Sequence, residues 1–110
     1  TGQNWPGSAV LAGIGSLRPA LIRLAGAVTT LTLDEDLELL SLAGSVAANG
    51  SHLPLSVSDA QGCVLGGHAG HGCIVRTMAE LLLAELTGWG LMRAPDASTG
   101  GVESQITREA

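Results

Sequence analysis

The sequence predicts a small α+β domain in which short strands carry most of the structure. Apolar runs punctuated by glycine or proline fill the first two thirds of the chain, and one of them, His52–Val57, alternates polar and apolar with period two. A single segment, Arg76–Leu86 (RTMAELLLAEL), has helical composition. At 110 residues the chain is long enough for one hydrophobic core and short for two.

Ser8–Gly15 (SAVLAGIG) reads as a strand, and Leu17–Leu24 (LRPALIRL) as a second whose Pro19 belongs at a strand start or an edge, because it cannot donate a ladder hydrogen bond. Thr29–Leu33 is β-branched and alternating. Asp34-Glu35-Asp36 is an acidic turn leading into Leu37–Val46, another apolar run. After the small-residue turn Ala47–Ser51, His52–Val57 places His52, Pro54 and Ser56 on one face and Leu53, Leu55 and Val57 on the other. Ser58–Gly62 turns the chain into a strand starting at Cys63–Leu65, and Gly66–Gly72 reads as a loop. This hairpin brings His52 and His68 into the same neighbourhood. For Arg76–Leu86 propensity favours helix, but its length also suits a long buried strand, so composition leaves both open. The polar, turn-rich stretch from Arg93 onward ends in a flexible tail at 104–110.

Composition narrows function. Apolar residues make up 45% of the chain, yet the only aromatics are Trp5 and Trp89, so Leu, Val, Ile and Ala must build the core. With only 14% charged residues, much of the surface is apolar or neutral, which fits burial between subunits. The net charge is −5, there is no lysine, and the five arginines are scattered. Tight duplex binding draws on clustered cations, so direct DNA binding by this domain is weak or absent. Cys63 and Cys73 lack C-x-x-C spacing and point to reduced thiols in a reducing intracellular compartment, with cytoplasm and nucleus not distinguished. Asn49-Gly50-Ser51 is first a turn signal and only secondarily a glycosylation pattern. The longest apolar stretches fall short of a helical membrane span, so a soluble chain is expected.

All three histidines, His52, His68 and His71, lie between Asn49 and Cys73. Imidazole suits proton transfer and metal ligation near neutral pH. Cys63, His68, His71 and Cys73 form C-x4-H-x2-H-x-C, which matches no standard zinc module. The glycines Gly66–Gly72 could cradle an anion, but without a following Gly-Lys-Ser/Thr a tight turn is the better reading. Glu38 and Glu80 sit among apolar residues and need a partner: Arg23 or Arg76, an ion pair between subunits, or the histidines, which they could support as a general base. Ser56, Asp59 and His68 contain the atoms of a hydrolytic triad, but nothing in their spacing orders them, so no catalytic residue is assigned.

Read in order, SAVLAGIGSLRPALIRL, DLELLSLAGSV, HLPLSVSDAQGCVLGGH, GCIVRTMAELLLAEL and MRAPDASTGGVE resemble the plant-and-prokaryote-conserved (PPC) domain family over Ser8–Glu103. The most specific part is the Glu-Leu-Leu-Ser-Leu-Ala-Gly run, the histidine-bearing strand, the acidic-Gly turn and Gly-Gly-His in that order. The resemblance implies a PPC-like α+β domain with a largely antiparallel sheet and few helices that forms a homotrimer, and it favours strand for Arg76–Leu86. The family's first strand and helix, ahead of the Ser8 segment, are missing from this sequence, which leaves a sheet edge open.

Plant members of the family join an Arg-Gly-Arg-Pro AT-hook to a domain that mediates assembly and protein contacts, and no such hook occurs here. Many prokaryotic members carry a His-x-His strand plus Gly-Gly-His as a metal site. Those positions fall on His52, Pro54 and His68. The resemblance therefore implies zinc or another divalent metal at His52 and His68. Proline offers no donor nitrogen, so the site is either incomplete or completed by His71, Cys73, Cys63 or a neighbouring subunit. Gly66 and Gly67 would form the adjoining loop, with Glu38 and Glu80 behind the ligands or in ion pairs. The function implied is a non-enzymatic trimeric assembly or regulatory module associated with DNA-binding or transcription complexes. The alternative is a metal-dependent small-molecule-binding protein or enzyme using His52 and His68, with Glu80 as base.

Overall fold

The computed structural model describes residues 6–108, and every regular element in that span is a strand. In chain order these are β1 (Pro6–Leu17), β2 (Ala20–Arg23), β3 (Leu31–Leu33), β4 (Leu37–Leu42), β5 (Gly44–Ala47), β6 (Gly50–His52), β7 (Pro54–Ser58), β8 (Val64–Ala69), β9 (Val75–Pro95) and β10 (Val102–Arg108). They form one antiparallel sheet in the order β10-β9-β1-β4-β7-β8-β2-β3, with the β5–β6 hairpin paired to β1 through β5.

The core sits where β1, β2, β4 and β7 converge. Leu37 and Leu39 on β4, and Leu55 and Val57 on β7, alternate inward and meet Leu17, Ala20 and Ile22. The period-two pattern of the sequence is thus realised, with Pro19 immediately ahead of β2 as its missing donor requires. The expected single strand His52–Val57 is broken at Leu53 into β6 and β7.

Two expectations are corrected. The α component of the α+β class is absent among the described residues: Arg76–Leu86, helical by composition, lies inside the 21-residue strand β9. Its backbone pairs with β1 from Pro6 to Leu17 and with β10 from Val102 to Arg108. Helix propensities differ by only tenths of a kcal/mol per residue among ordinary side chains, so the long ladder with β1 decides the outcome for Arg76–Leu86, and β10 extends the strand beyond it along Trp89–Pro95. The second correction concerns the tail. Residues 104–108 continue β10 against Trp89–Arg93 rather than hanging free; 109–110 lie outside the described residues.

Candidate functional site

His52 and His68 come from different parts of the sheet. His52 ends β6, where it lies directly opposite Ser45 of β5. Gly44, with φ +140°, makes this possible, because a Cβ there would run into the His52 carbonyl group. His68 lies on β8 between β7 and β2, paired with Pro54 on one side and Arg23 on the other. Gly67 lets these strands close: a Cβ at that position would stand 2.6 Å from the Arg23 carbonyl oxygen and 2.7 Å from Ile22 Cγ2.

The two imidazoles meet edge to face, with Nε2 atoms 3.2 Å apart. Arg23 Nη2 lies 2.6 Å from His68 Nδ1. A guanidinium can only donate, so Nδ1 of His68 must carry a lone pair, which assigns the proton of the neutral ring to Nε2. That N–H then donates to Nε2 of His52, whose own proton belongs on Nδ1. Hydrogen-bond donation runs in one direction, Arg23 to His68 to His52. Burial, then the positive charge available at His52, Arg23 and Arg93, holds the His68 imidazole below its ordinary value.

Arg93 of β9 reaches this face through a second chain. Its Nη1 donates to Ser104 Oγ (3.1 Å), and Ser104 Oγ lies 3.2 Å from Ser45 Oγ, directly across the ladder from His52. Asn49, in the β5–β6 turn, grips the Arg93 backbone from both sides: Nδ2 donates to the carbonyl oxygen and Oδ1 accepts from N–H, each at 2.8 Å. Asn49 therefore acts as a short extra strand edge. The amide nitrogen of the glycosylation pattern is thereby engaged within the fold.

The remaining sequence candidates lie elsewhere. His71 is exposed in the β8–β9 turn and, with Cys73, lines an apolar groove of about 670 Å³ floored by core residues such as Leu39 and Leu55. Cys73 is tied to β2, its Sγ accepting from Leu21 N–H at 3.3 Å. Cys63 is exposed at the β7–β8 turn. Gly66 and Gly67, expected in a loop, stand within strand β8, where their missing side chains admit close strand packing, so they form no nest of N–H groups.

Glu38 and Glu80 are both exposed and share the wall of a cavity of about 220 Å³ between β1, β4 and β9. Neither takes an arginine among the described residues: Arg76 pairs with Asp36 at 3.0 Å, and Arg23 with His68. The triad atoms are also dispersed. Ser56 Oγ lies 2.6 Å from Ser41 Oγ, and the Asp59 carboxylate caps its own turn by accepting from the N–H groups of Gln61 and Cys63.

This donor set does not fit a metal within one chain. Among the described residues no third His, Cys, Asp or Glu joins the pair, whereas zinc takes three or four such ligands. A metal on Nε2 of His68 also requires the ring proton on Nδ1, where Arg23 donates. Sequence reasoning located the histidines but missed Arg23, Arg93 and Asn49. In the sequence Arg23 signals only a carboxylate partner, and Asn-Gly signals a turn without revealing what its side chain holds.

A family model described as the Plants and Prokaryotes Conserved (PCC) domain matches residues 2–87. Over 101 residues the chain is 44% identical to Bifunctional protein GlmU of Synechococcus sp. (strain JA-3-3Ab); the match covers 92% of this chain and 16% of that protein, so the chain spans about a sixth of its length. Among solved structures, a hypothetical protein from Salmonella enterica is 36% identical with a TM-score of 0.91, covering 97% of this chain and 78% of that one. A metal-containing protein from Archaeoglobus fulgidus is 26% identical with a TM-score of 0.75, over 91% of this chain and 74% of that one. A protein from Ralstonia eutropha JMP134, named as a candidate DNA-binding protein, shares the fold at 21% identity and a TM-score of 0.79, over 93% and 74% of the two chains.

Proposed function

The chain belongs to the Plants and Prokaryotes Conserved domain family, the same family as the PPC resemblance, and on that premise we propose that it is a non-enzymatic assembly module working as a homotrimer within regulatory complexes. Strand β9 carries this reading. Met78, Leu81, Leu82 and Leu83 on β9 are all exposed, Leu82 to 60% and Leu83 to 59%, and Leu11 and Ile14 of the adjacent β1 are exposed beside them. Consecutive side chains of a strand point to opposite faces, so β9 presents apolar surface on both. The described sheet, 50 × 30 × 20 Å overall, is too thin to cover them. Contiguous apolar surface of this kind marks an interface between subunits. The number three comes from the family resemblance.

The match to a segment of GlmU supports a domain that serves inside larger proteins as well. Contact with DNA, on this reading, belongs to partners: Arg18 and Arg76 are already engaged by Asp34 and Asp36, and the net charge of −5 repels phosphate backbones. Metal binding at His52 and His68 is the rival reading. It draws on the convergence of the two rings and on the metal-containing relative, and it requires ligands beyond those the described residues bring to the pair. In sedimentation equilibrium the Leu82→Glu/Leu83→Glu double variant should run as a monomer of unchanged strand content, while wild type runs as a trimer; a variant that keeps the wild-type mass would remove the basis for this reading.

A further inference from the structure

We propose that Arg23, His68, His52 and Arg93 form a binding site for a small oxyanion, the phosphate or carboxylate group of a metabolite. The positive charge of this acidic chain is distributed unevenly. Arg18 and Arg76 are matched to Asp34 and Asp36, and Arg108 lies over the Trp89 ring. Among the described residues Arg23 and Arg93 have no carboxylate partner, and both approach the histidine pair. Arg23 touches His68 directly, while Arg93 is connected through Ser104 to Ser45, which faces His52 across the ladder. Among the described residues no Asp or Glu joins the histidine pair. The acceptors that the two arginines meet are all neutral: Arg23 donates to His68 Nδ1 and the Ala27 carbonyl oxygen, and Arg93 to Ser104 Oγ and the Val102 carbonyl oxygen, so the charge of both guanidiniums is left without a counter-charge.

The chemistry of those donors selects the ligand. Guanidinium groups match the paired oxygens of phosphate and carboxylate, and the Nδ1–H of His52, the one ring proton not used within the pair, can add a donor to the same oxygens. A metal cation would meet the charges of Arg23 and Arg93, whereas an anion is attracted by both. The site is half-buried, so these interactions are screened less than at an open surface. Its construction is also rigid. Gly67 holds β8 against Arg23, Gly44 seats β6, and Asn49 fixes the backbone of Arg93.

The test is an NMR titration of the His52 and His68 ring resonances in the 110-residue chain at constant ionic strength, with inorganic phosphate in one arm, acetate in a second and chloride in a third. Saturable shifts with phosphate or acetate, absent with chloride, are expected, and the better of the two identifies the source of the oxyanion. Arg23→Gln and Arg93→Gln should each weaken that binding by about tenfold or more. Either variant suffices if the other does not fold, and a well-dispersed amide spectrum certifies the one used. Shifts that are equal for all three salts would overturn the proposal. So would stoichiometric zinc binding to the same rings with phosphate without effect, because the pair would then be a cation site completed by another chain.

Discussion

The Nε2 atoms of His52 and His68 lie 3.2 Å apart, with ring planes at 90°, although sixteen residues separate them in sequence. Their strands are not ladder neighbours: β6 pairs with β5, and β8 with β7 and β2. The contact closes over the break at Leu53, and Arg23 anchors it from β2. One side-chain contact therefore ties together segments that the sheet's hydrogen bonding does not join directly.

Gly67 is the most constrained position near this contact. Gly67→Ala would force its Cβ against the Arg23 carbonyl and the fully buried Ile22, neither of which can swing aside. Overpacking of this kind costs about 1–3 kcal/mol. Urea denaturation should show that loss, and the ring resonances of His68 should shift as β8 moves from Arg23. Gly66→Ala, whose Cβ would lie 3.3 Å from the Leu55 carbonyl oxygen, should cost less.

Stability should depend on the protonation of His68. Its folded value is depressed, so the unfolded chain takes up the proton first as pH falls through about 6.5. The stability contributed by the neutral ring is complete above that point and is lost as pH falls toward the folded value. Urea midpoints at about pH 7.5 and about pH 5.5 should differ more for wild type than for His68→Asn. Equal differences would assign the acid sensitivity to other groups.

Asn49 should matter through Arg93. Asn49→Ala removes two 2.8 Å bonds to a backbone segment of β9, a loss of about 1–2 kcal/mol. Asn49→Asp keeps the acceptor and loses the donor, so thermal denaturation should place it between wild type and alanine. Protection of the Arg93 amide from hydrogen exchange should fall in the alanine variant.

The core is small enough for single deletions to be felt. Ile22 is fully buried among Leu17, Leu37 and Leu39. Ile22→Ala should cost about 2–5 kcal/mol and Ile22→Val about 0.5–1.5 kcal/mol by equilibrium denaturation.

Much of the sheet was legible in the sequence because its strands are half-buried. Leu37/Leu39 and Leu55/Val57 alternate with outward residues, and that alternation is visible without a structure. Arg76–Leu86 was not legible from composition, since Ala, Leu and Glu favour helix locally and only pairing with β1 makes the segment a strand. The resemblance to a known family resolved it. The meeting of His52 and His68 could be anticipated from the β7–β8 hairpin. The arginines around them could not, because Arg23 and Arg93 are seventy residues apart and only the folded sheet order brings β2 and β9 to bear on one histidine pair. Gly66 and Gly67 looked like a loop for a similar reason: glycine marks both turns and close strand contacts, and the partner strand decides which.

The central claim is self-association through β1 and β9, and native mass spectrometry of the wild-type chain at micromolar concentration tests it most directly. The account predicts a dominant species of three times the 11.0 kDa chain mass. A monomer as the dominant species, with its strands intact, would contradict it.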